Sequence, residues 1–355
     1  IGSPHRRGAH ACGDVGVSVR MATGRLRDRR AFPEARIDWA ADEAFAEVVH
    51  WNPGVDRVLC ASLRRFKKAR NLDDLRAIVA SIRTLRSERY DLVLDIHGVY
   101  SAIIAFIARS RRRYGYCREN LGEAGAAFAY TDRFDRRIAS NAWYAMRRSV
   151  SDALGYSIDE RPHFGLKLPP ALPRSVTGEP ARRAMLFHAT SADAKKWPAG
   201  HWIGVAQALT ARGLQVVLPW GSEREHDEAC RIAAGVPQAQ VLPKLTVTEC
   251  AQLIDASELV VGMDSGFVHL AYALGKPTVM IFTATSRSHF GIDIPGRAIS
   301  VGDEGRSPAV RDVLAAIDSV YPPGVASAIS AGPHVEPIVA VKSCPVIIPF
   351  RHEAA

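Results

Sequence analysis

The sequence predicts an α/β protein built from two doubly wound domains, and three observations support this class. Its 355 residues exceed the about 250 to 300 at which a single core stops growing, so two domains with a cleft between them are expected. Short apolar, β-branched runs alternate with amphipathic helical stretches, as in parallel sheets with crossover helices. Polar loops follow the apolar runs, where such sheets bind their ligands.

Changes in composition predict the domain limits. Residues 1–31 are rich in Arg, Gly and Ala and have neither strand nor helix periodicity, so they form an atypical start. A proline-rich stretch at 166–173 separates an N-terminal domain, 32–172, from a C-terminal domain, 173–321. Residues 322–355 are an atypical tail to which the sequence assigns no role.

The N-terminal half alternates strand and helix irregularly. Residues 36–40 alternate as a strand does, and 72–86 spaces its apolar residues along one helix face. Residues 91–95 read as a buried strand and 101–108 as a helix, followed by a basic run at 109–113.

The C-terminal half is more regular and predicts five parallel strands joined by helical crossovers. The predicted strands are 184–188, 214–218, 240–242, 258–262 and 278–282, and the predicted helices are 199–212, 223–234, 247–256 and 267–274.

Composition limits the classes of partner. With 47% hydrophobic and 23% charged residues the chain is of the soluble globular type, and its net charge of +9 favours an anionic partner. No nucleic-acid-binding module is present, so nucleic acid is not expected. The six cysteines form no Cys-x-x-Cys pair, which argues against a disulfide framework or zinc site and favours a reducing cytoplasm. No apolar run approaches the ~20 residues of a membrane span, so any membrane contact is peripheral.

The stretch 258–276, ELVVGMDSGFVHLAYALGK, carries the most chemical information. A buried strand passes through Asp264-Ser265-Gly266 into a helix, where Asp264 or Ser265 can cap and Gly266 allows close approach of a ligand. The amide groups and dipole of a helix start favour phosphate, and His269 projects from the first turn towards the same mouth. The alternative is an ordinary capped helix that carries a histidine.

Three further loops leave the carboxyl ends of predicted strands. They read ATSADAKKWP at 189–198, LPWGSERE at 218–225 and LPKL at 242–245. Together with GMDSGFVHL these loops resemble the donor-binding half of glycosyltransferase family 9. The resemblance extends from about Phe32 to Val320.

The resemblance implies a GT-B architecture, in which two Rossmann-like domains face a cleft, and inverting transfer of heptose from ADP-L-glycero-D-manno-heptose. The positions that match the donor site are Thr190, Ser191, Lys195, Glu225, Leu245, Asp264, Ser265, Gly266 and His269. Lys195 would offset charge on the departing ADP, Glu225 would accept the ribose hydroxyls, and Leu245 would lie against adenine. The alternatives are a solvated lysine at Lys195 and a helix N-terminal charge at Glu225.

The acceptor implied by the family is Kdo-lipid A, an anionic glycolipid at the inner leaflet. The chain would therefore act in the cytoplasm, peripherally at the inner face of the bacterial inner membrane. Arg64, Arg65, Lys67 and Lys68 match a basic acceptor-facing cluster, where each would contribute about 1 kcal/mol near an anionic surface, and Arg118 matches a further acceptor position. A solvated basic face is the alternative. No Asp-x-Asp motif flanks the loops, so no metal ion or other cofactor is expected.

The amino terminus departs from the family pattern. The family starts with a strand that leads to a Gly-Asp pair, whose aspartate is the general base. Gly13-Asp14 supplies the pair without the strand, so Asp14 is the candidate base. The abrupt onset of family-like sequence suggests an out-of-frame reading of an ordinary start, which resequencing would test. Two other functions stay open: a non-catalytic nucleotide-sugar-binding remnant and a sugar-nucleotide epimerase of the same architecture.

Overall fold

A computed structural model defines the fold over most of the chain. The residues described are 35–41, 46–61, 71–95, 99–120, 124–135, 141–158, 165–170, 182–190, 193–323 and 346–348. They belong to two compact units, one within 35–167 together with Val346–Ile348 and the other within 168–323. The domain limits expected from the sequence stay a prediction. No helix in the described parts is long and apolar enough to cross a bilayer.

The strands and helices are numbered along the chain. The strands are β1 (Asp38–Ala41), β2 (Arg57–Cys60), β3 (Arg89–Leu94), β4 (Arg109–Tyr116), β5 (Asp132–Phe134), β6 (Arg183–Phe187), β7 (Gln215–Leu218), β8 (Gln240–Val241), β9 (Leu259–Met263), β10 (Thr278–Phe282), β11 (Ala298–Gly302) and β12 (Val346–Ile348). The helices are α1 (Ala46–His50), α2 (Leu72–Leu85), α3 (Val99–Ile107), α4 (Ala142–Leu154), α5 (Ala199–Ala211), α6 (Glu223–Ala234), α7 (Val247–Asp255), α8 (Gly266–Ala273), α9 (Arg287–Phe290) and α10 (Val310–Val320).

The sheet of the C-terminal unit has six parallel strands in the order β11-β10-β9-β6-β7-β8. The chain enters at β6 in the middle, winds outward to β8, returns to β9 and winds outward to β11. This Rossmann-like order creates a topological switch point between β6 and β9, where doubly wound sheets bind ligands. The sequence predicts five of these strands, while β11 and the helices α9 and α10 are additional.

One face of this sheet packs against helices α5, α6 and α10. Trp202 and Leu209 of α5, Ile232 of α6 and Ile317 of α10 join the same apolar core and are fully excluded from water. Complete burial of each such side chain contributes roughly 1.5 to 3 kcal/mol, so the core holds the strand ends in fixed positions.

The sheet of the N-terminal unit has the order β2-β1-β12-β3-β4-β5. Strand β12 lies antiparallel between β1 and β3, and Ile347 is opposite both Asp38 and Val93. The other neighbouring pairs are parallel. The tail to which the sequence assigned no role therefore supplies a central strand of this sheet.

Two features of this unit go beyond what the sequence predicts. The basic run 109–113 is the first part of β4, and its exposed arginines hide the strand pattern. Helix α2 buries Ile78 and Leu85 but leaves Leu72 and Leu75 exposed, so its apolar residues are only partly buried.

Candidate functional site

The candidate site lies at the switch point, where β6 and β9 end side by side. Both strands are fully buried, and they approach each other closely at Gly262. A Cβ atom at Gly262 would lie 2.7 Å from Cβ of Phe187 and 2.5 Å from a methyl group of Val268. Any larger residue would separate β6 from β9 or displace α8, so glycine sets the spacing of the loops that follow.

Asp264 is the centre of a polar cluster at these strand ends. The Lys195 Nζ donates to Asp264 Oδ2 over 3.1 Å, and the Thr285 hydroxyl donates to the same oxygen over 3.0 Å. The Nε2 atom of His269 lies 3.5 Å from Oδ1. The Asp264 side chain is only 10% exposed and that of Lys195 is 24% exposed, so the ammonium still reaches solvent. The structure thus brings together Lys195, Asp264 and His269, three of the predicted donor-site residues.

Two hydroxyl groups at the same strand ends are buried without a hydrogen-bond partner among the described residues. They are Oγ1 of Thr190, which follows β6, and Oγ of Ser265, which follows β9. Both hydroxyl groups can therefore donate to an anionic ligand at these strand ends.

The start of helix α8 has the geometry expected for anion binding. Ser265 occupies the N-cap position with extended backbone, but its side chain makes no capping hydrogen bond. This corrects the expectation that the Ser265 hydroxyl caps the helix. Gly266 is the first residue of the helix and is buried. The amide groups of the first turn and the hydroxyl are therefore directed to the same rim.

The lysine loop is held in place by contacts on both sides of Lys195. Residues Asp193–Lys195 form a 3-10 turn, and the next residue, Lys196, forms an ion pair with the buried carboxylate of Glu228 on α6. The indole N–H of Trp197 donates to the carbonyl of Pro308 over 2.9 Å. Adjacent lysines therefore have different partners, and only Lys195 is directed to Asp264.

Glu225 both caps a helix and remains available to a ligand. Its Oε2 accepts the backbone N–H groups of Gly221 (2.7 Å) and Ser222 (3.1 Å), which completes a capping box with Ser222 at the start of α6. Glu225 therefore has the helix N-terminal role that was the alternative to ligand binding, but its Oε1 accepts no hydrogen bond from the described residues.

His188 links helix α6 to the end of β6, because its Nε2 donates to the Glu225 carbonyl over 3.1 Å. Burial lowers the pKa of His188, so the ring is neutral at pH 7, and its contact with a carbonyl places the proton on Nε2.

Leu245 lies in the loop after β8 and is partly buried. This loop contacts the one after β7, because the indole N–H of Trp220 donates to the Leu242 carbonyl over 2.6 Å. The Lys244 ammonium lies 5.5 Å from the centre of the Trp220 ring. Leu245 therefore lies in a loop that packs against the loop leading to Glu225.

Several predicted residues are not placed. Ser191, Asp14, Arg64, Arg65, Lys67 and Lys68 lie outside the described residues. Arg118 belongs to the N-terminal unit, where it is exposed in the 3-10 turn Arg118–Asn120 after β4. The roles expected for all of these residues stay predictions. Within the described residues, no three His, Cys, Asp or Glu side chains are grouped as metal ligands would be.

Sequence reasoning missed a fifth loop, which follows β10. Thr285 donates to Asp264, and the Thr283 hydroxyl donates to the backbone carbonyl of Lys195 over 2.8 Å. The sequence could have indicated this loop, because it directly follows a predicted buried strand. His188 and Glu228 were missed because their roles depend on contacts between separate elements.

Comparison with known proteins supports the resemblance of the loops. The profile of glycosyltransferase family 9 (heptosyltransferase) matches residues 78–312. Lipopolysaccharide heptosyltransferase 1 of Pseudomonas aeruginosa is 32% identical over 289 residues, which cover 75% of this chain and 78% of that protein.

Solved structures of the E. coli heptosyltransferase WaaC are also similar. The structure with ADP has a TM-score of 0.71 and 25% identity, covering 83% of this chain and 94% of that chain. The structure with ADP-2-deoxy-2-fluoro heptose has the same TM-score and identity, covering 86% of this chain and 96% of that chain. These similarities confirm the predicted fold class, with two Rossmann-like α/β units of the GT-B type. The chain belongs to glycosyltransferase family 9, the heptosyltransferase family.

Proposed function

We propose that the chain is an inverting glycosyltransferase that moves heptose from ADP-L-glycero-D-manno-heptose to a Kdo hydroxyl of Kdo-lipid A. The observation that carries this proposal is the Lys195–Asp264 pair at the β6/β9 switch point, beside the buried, unpaired hydroxyls of Thr190 and Ser265. The cation, the hydroxyl donors and the helix start suit the diphosphate of a sugar nucleotide. The similarity to WaaC, solved with ADP and with a fluorinated ADP-heptose, supports the choice of nucleotide.

The donor would bind with its diphosphate against Thr190, Ser191, Lys195 and the start of α8. When ADP departs, it takes the electron pair of the bond between its diphosphate oxygen and the heptose anomeric carbon. The Lys195 ammonium would stabilise the charge that develops on ADP, an effect worth several kcal/mol in a site closed to water. Asp264 and His269 would orient Lys195 and accept or donate hydrogen bonds at the heptose.

The nucleoside would extend along the loops after β7 and β8. Glu225 would accept a ribose hydroxyl through Oε1, since Oε2 is used by the amide groups of the capping box. Leu245 would provide an apolar contact for adenine. His188 would act as a positioning residue by holding the first turn of α6.

The acceptor hydroxyl oxygen would bond to the anomeric carbon on the face opposite the leaving ADP, which inverts the configuration. Its proton would pass to a carboxylate, for which Asp14 is the candidate. Arg64, Arg65, Lys67, Lys68 and Arg118 would attract the phosphates and carboxylates of Kdo-lipid A. The enzyme would then work peripherally at the inner face of the inner membrane.

A mass measurement tests the proposal. The purified chain is incubated with ADP-heptose and Kdo-lipid A, and the glycolipid is expected to gain the mass of one heptose. A parallel reaction without acceptor separates the alternatives, because a changed sugar nucleotide formed there would indicate an epimerase. ADP binding without any turnover would indicate the non-catalytic remnant. If neither binding nor turnover is detected, the proposed function is wrong.

A further inference from the structure

The loop after β10 contacts the backbone of Lys195 and the carboxylate that pairs with its ammonium. The Thr283 hydroxyl donates to the Lys195 backbone carbonyl over 2.8 Å, and the Thr285 hydroxyl donates to Asp264 Oδ2, the oxygen that accepts from the Lys195 ammonium. The first contact fixes where the lysine side chain starts. The contact of Thr285 with Asp264 influences how strongly Asp264 attracts the Lys195 ammonium.

The loop itself is firmly built. Asp303, which follows β11, accepts the backbone N–H groups of Arg287 (2.9 Å) and Glu304 (2.8 Å). These two donors lower the pKa of Asp303, so its carboxylate is ionised at neutral pH and keeps the contact. Ser286 caps the short helix that begins at Arg287. The two threonines are thus presented by a segment with its own supports.

We infer that Thr283 and Thr285 are positioning residues for donor binding, which set how the Lys195 ammonium is shared between Asp264 and a diphosphate. This inference deepens the proposed function and rests on it. Asp264 Oδ2 accepts two donors at similar distances, so the threonine hydroxyl offsets part of the negative charge that the lysine faces. Without that hydroxyl, Asp264 would hold Lys195 more strongly, and a diphosphate would compete for the ammonium less well.

The inference predicts a specific pattern among hydroxyl variants. Thr285→Val preserves shape and removes the donor, so ADP affinity is expected to fall roughly tenfold, the effect of one lost hydrogen bond to a charged group. Thr285→Ser keeps the hydroxyl and is expected to restore affinity to within about twofold. Thr283→Val is expected to weaken ADP binding in the same direction, because it releases the Lys195 backbone.

Thr278→Val is the matched control. Thr278 is a buried threonine at the other end of β10, and its hydroxyl also donates to a backbone carbonyl, that of Lys276, over 2.8 Å. A merely structural role of strand-end threonines would make Thr278→Val and Thr285→Val alike in ADP affinity. If Thr285 acts through Lys195, Thr278→Val should bind ADP with wild-type affinity at temperatures where this variant is folded.

A double-mutant cycle tests the inference: ADP binding is measured by calorimetry for the wild type, Thr285→Val, Lys195→Ala and the double variant. Thr285→Val is expected to weaken binding in the wild type but to change it less than about twofold in the Lys195→Ala background, because its effect acts through the lysine. Equal effects in both backgrounds, or wild-type affinity in Thr285→Val, would overturn the inference while leaving the proposed donor site in place. A wild-type chain that binds no ADP would overturn both.

Discussion

Two aspartates, one in each unit, have the same kinds of partner but lie at opposite edges of their sheets. Asp38 Oδ2 accepts from the Arg57 guanidinium over 2.6 Å and from the Tyr90 hydroxyl over 3.1 Å. Asp264 Oδ2 likewise accepts from a cation, Lys195, and a hydroxyl. Asp38 begins β1, whereas Asp264 follows β9.

The difference shows that position in the sheet, more than the set of side chains, separates a structural cluster from a ligand site. Asp38 is fully buried at the amino-terminal edge of the sheet. Its partners lie at the amino-terminal ends of β2, which pairs with β1, and of β3, which lies on the other side of β12. Asp264 lies at the carboxyl-terminal edge, where parallel strands leave space for ligands and where unpaired hydroxyls are buried beside it. The first cluster should therefore govern stability and the second ligand binding.

The largest expected effect comes from removing the structural carboxylate. Asp38→Ala leaves the buried Tyr90 hydroxyl without its acceptor and leaves the Arg57 guanidinium with the longer ion pair to Glu88, at 3.6 Å. Together these losses are expected to cost about 3 to 4 kcal/mol of unfolding free energy. Urea denaturation measures the loss, and ADP affinity of the folded fraction should not change. A wild-type denaturation midpoint would show that the cluster does not stabilise the unit.

The next effect concerns the strand that pairs with Asp38. Ile347→Pro removes a backbone donor in the middle of the sheet and is expected to cost on the order of 3 kcal/mol, as proline does inside a helix. Hydrogen exchange should show faster exchange in β3 and unchanged protection in β9. Ile347→Val is the control that keeps the strand. Unchanged exchange in β3 after the proline substitution would contradict the central position of β12.

A third comparison tests the two edges of one sheet. Lys195→Ala is expected to lower turnover roughly 100-fold and to leave the fold intact, since it removes a cation that stabilises the leaving group. Lys276→Ala is the matched control, because Lys276 has similar exposure and pairs with Asp255 at the amino-terminal edge. Steady-state kinetics compare the turnover of the two variants with that of the wild type. Equal losses would remove Lys195 from the proposed site.

The smallest effect is a pH dependence of the structural cluster. Burial, followed by the charge of Asp38, raises the pKa of Tyr90 from 10.0 to about 12. The protonated form is therefore favoured by folding, and this contribution is complete below pH 10 and lost as pH rises to about 12. In Tyr90→Phe the unfolding free energy should decrease less steeply over this interval. An identical slope in the variant would exclude Tyr90 as its source.

The sequence allowed the C-terminal half to be predicted better than the N-terminal half. Strands β6, β7, β9 and β10 consist mostly of apolar residues that are buried on both faces, so each could be located to within a residue or two. Strand β4 starts with exposed arginines, and β12 pairs with strands from the other end of the chain. Local periodicity contains no information about either case.

The same limit applies to the candidate site. Lys195 and Asp264 are 69 residues apart, and the loop motifs alone indicated that they belong together. Thr283 and Thr285 lie in a loop without a distinctive motif, so only the fold shows that their hydroxyls reach Lys195 and Asp264. The roles of the basic residues before α2 remain a prediction.

The two adjacent lysines make the loop after β6 sensitive to length. Lys195 pairs with Asp264 and Lys196 pairs with Glu228. The next residue, Trp197, is held by the hydrogen bond from its indole N–H to the Pro308 carbonyl. Inserting or deleting one amino acid between Asp193 and Trp197 would present the wrong lysine, or none, to the switch point. Surface loops commonly tolerate insertions and deletions. The loop after β6 should instead tolerate substitutions at its solvent-facing positions but not a change in its length.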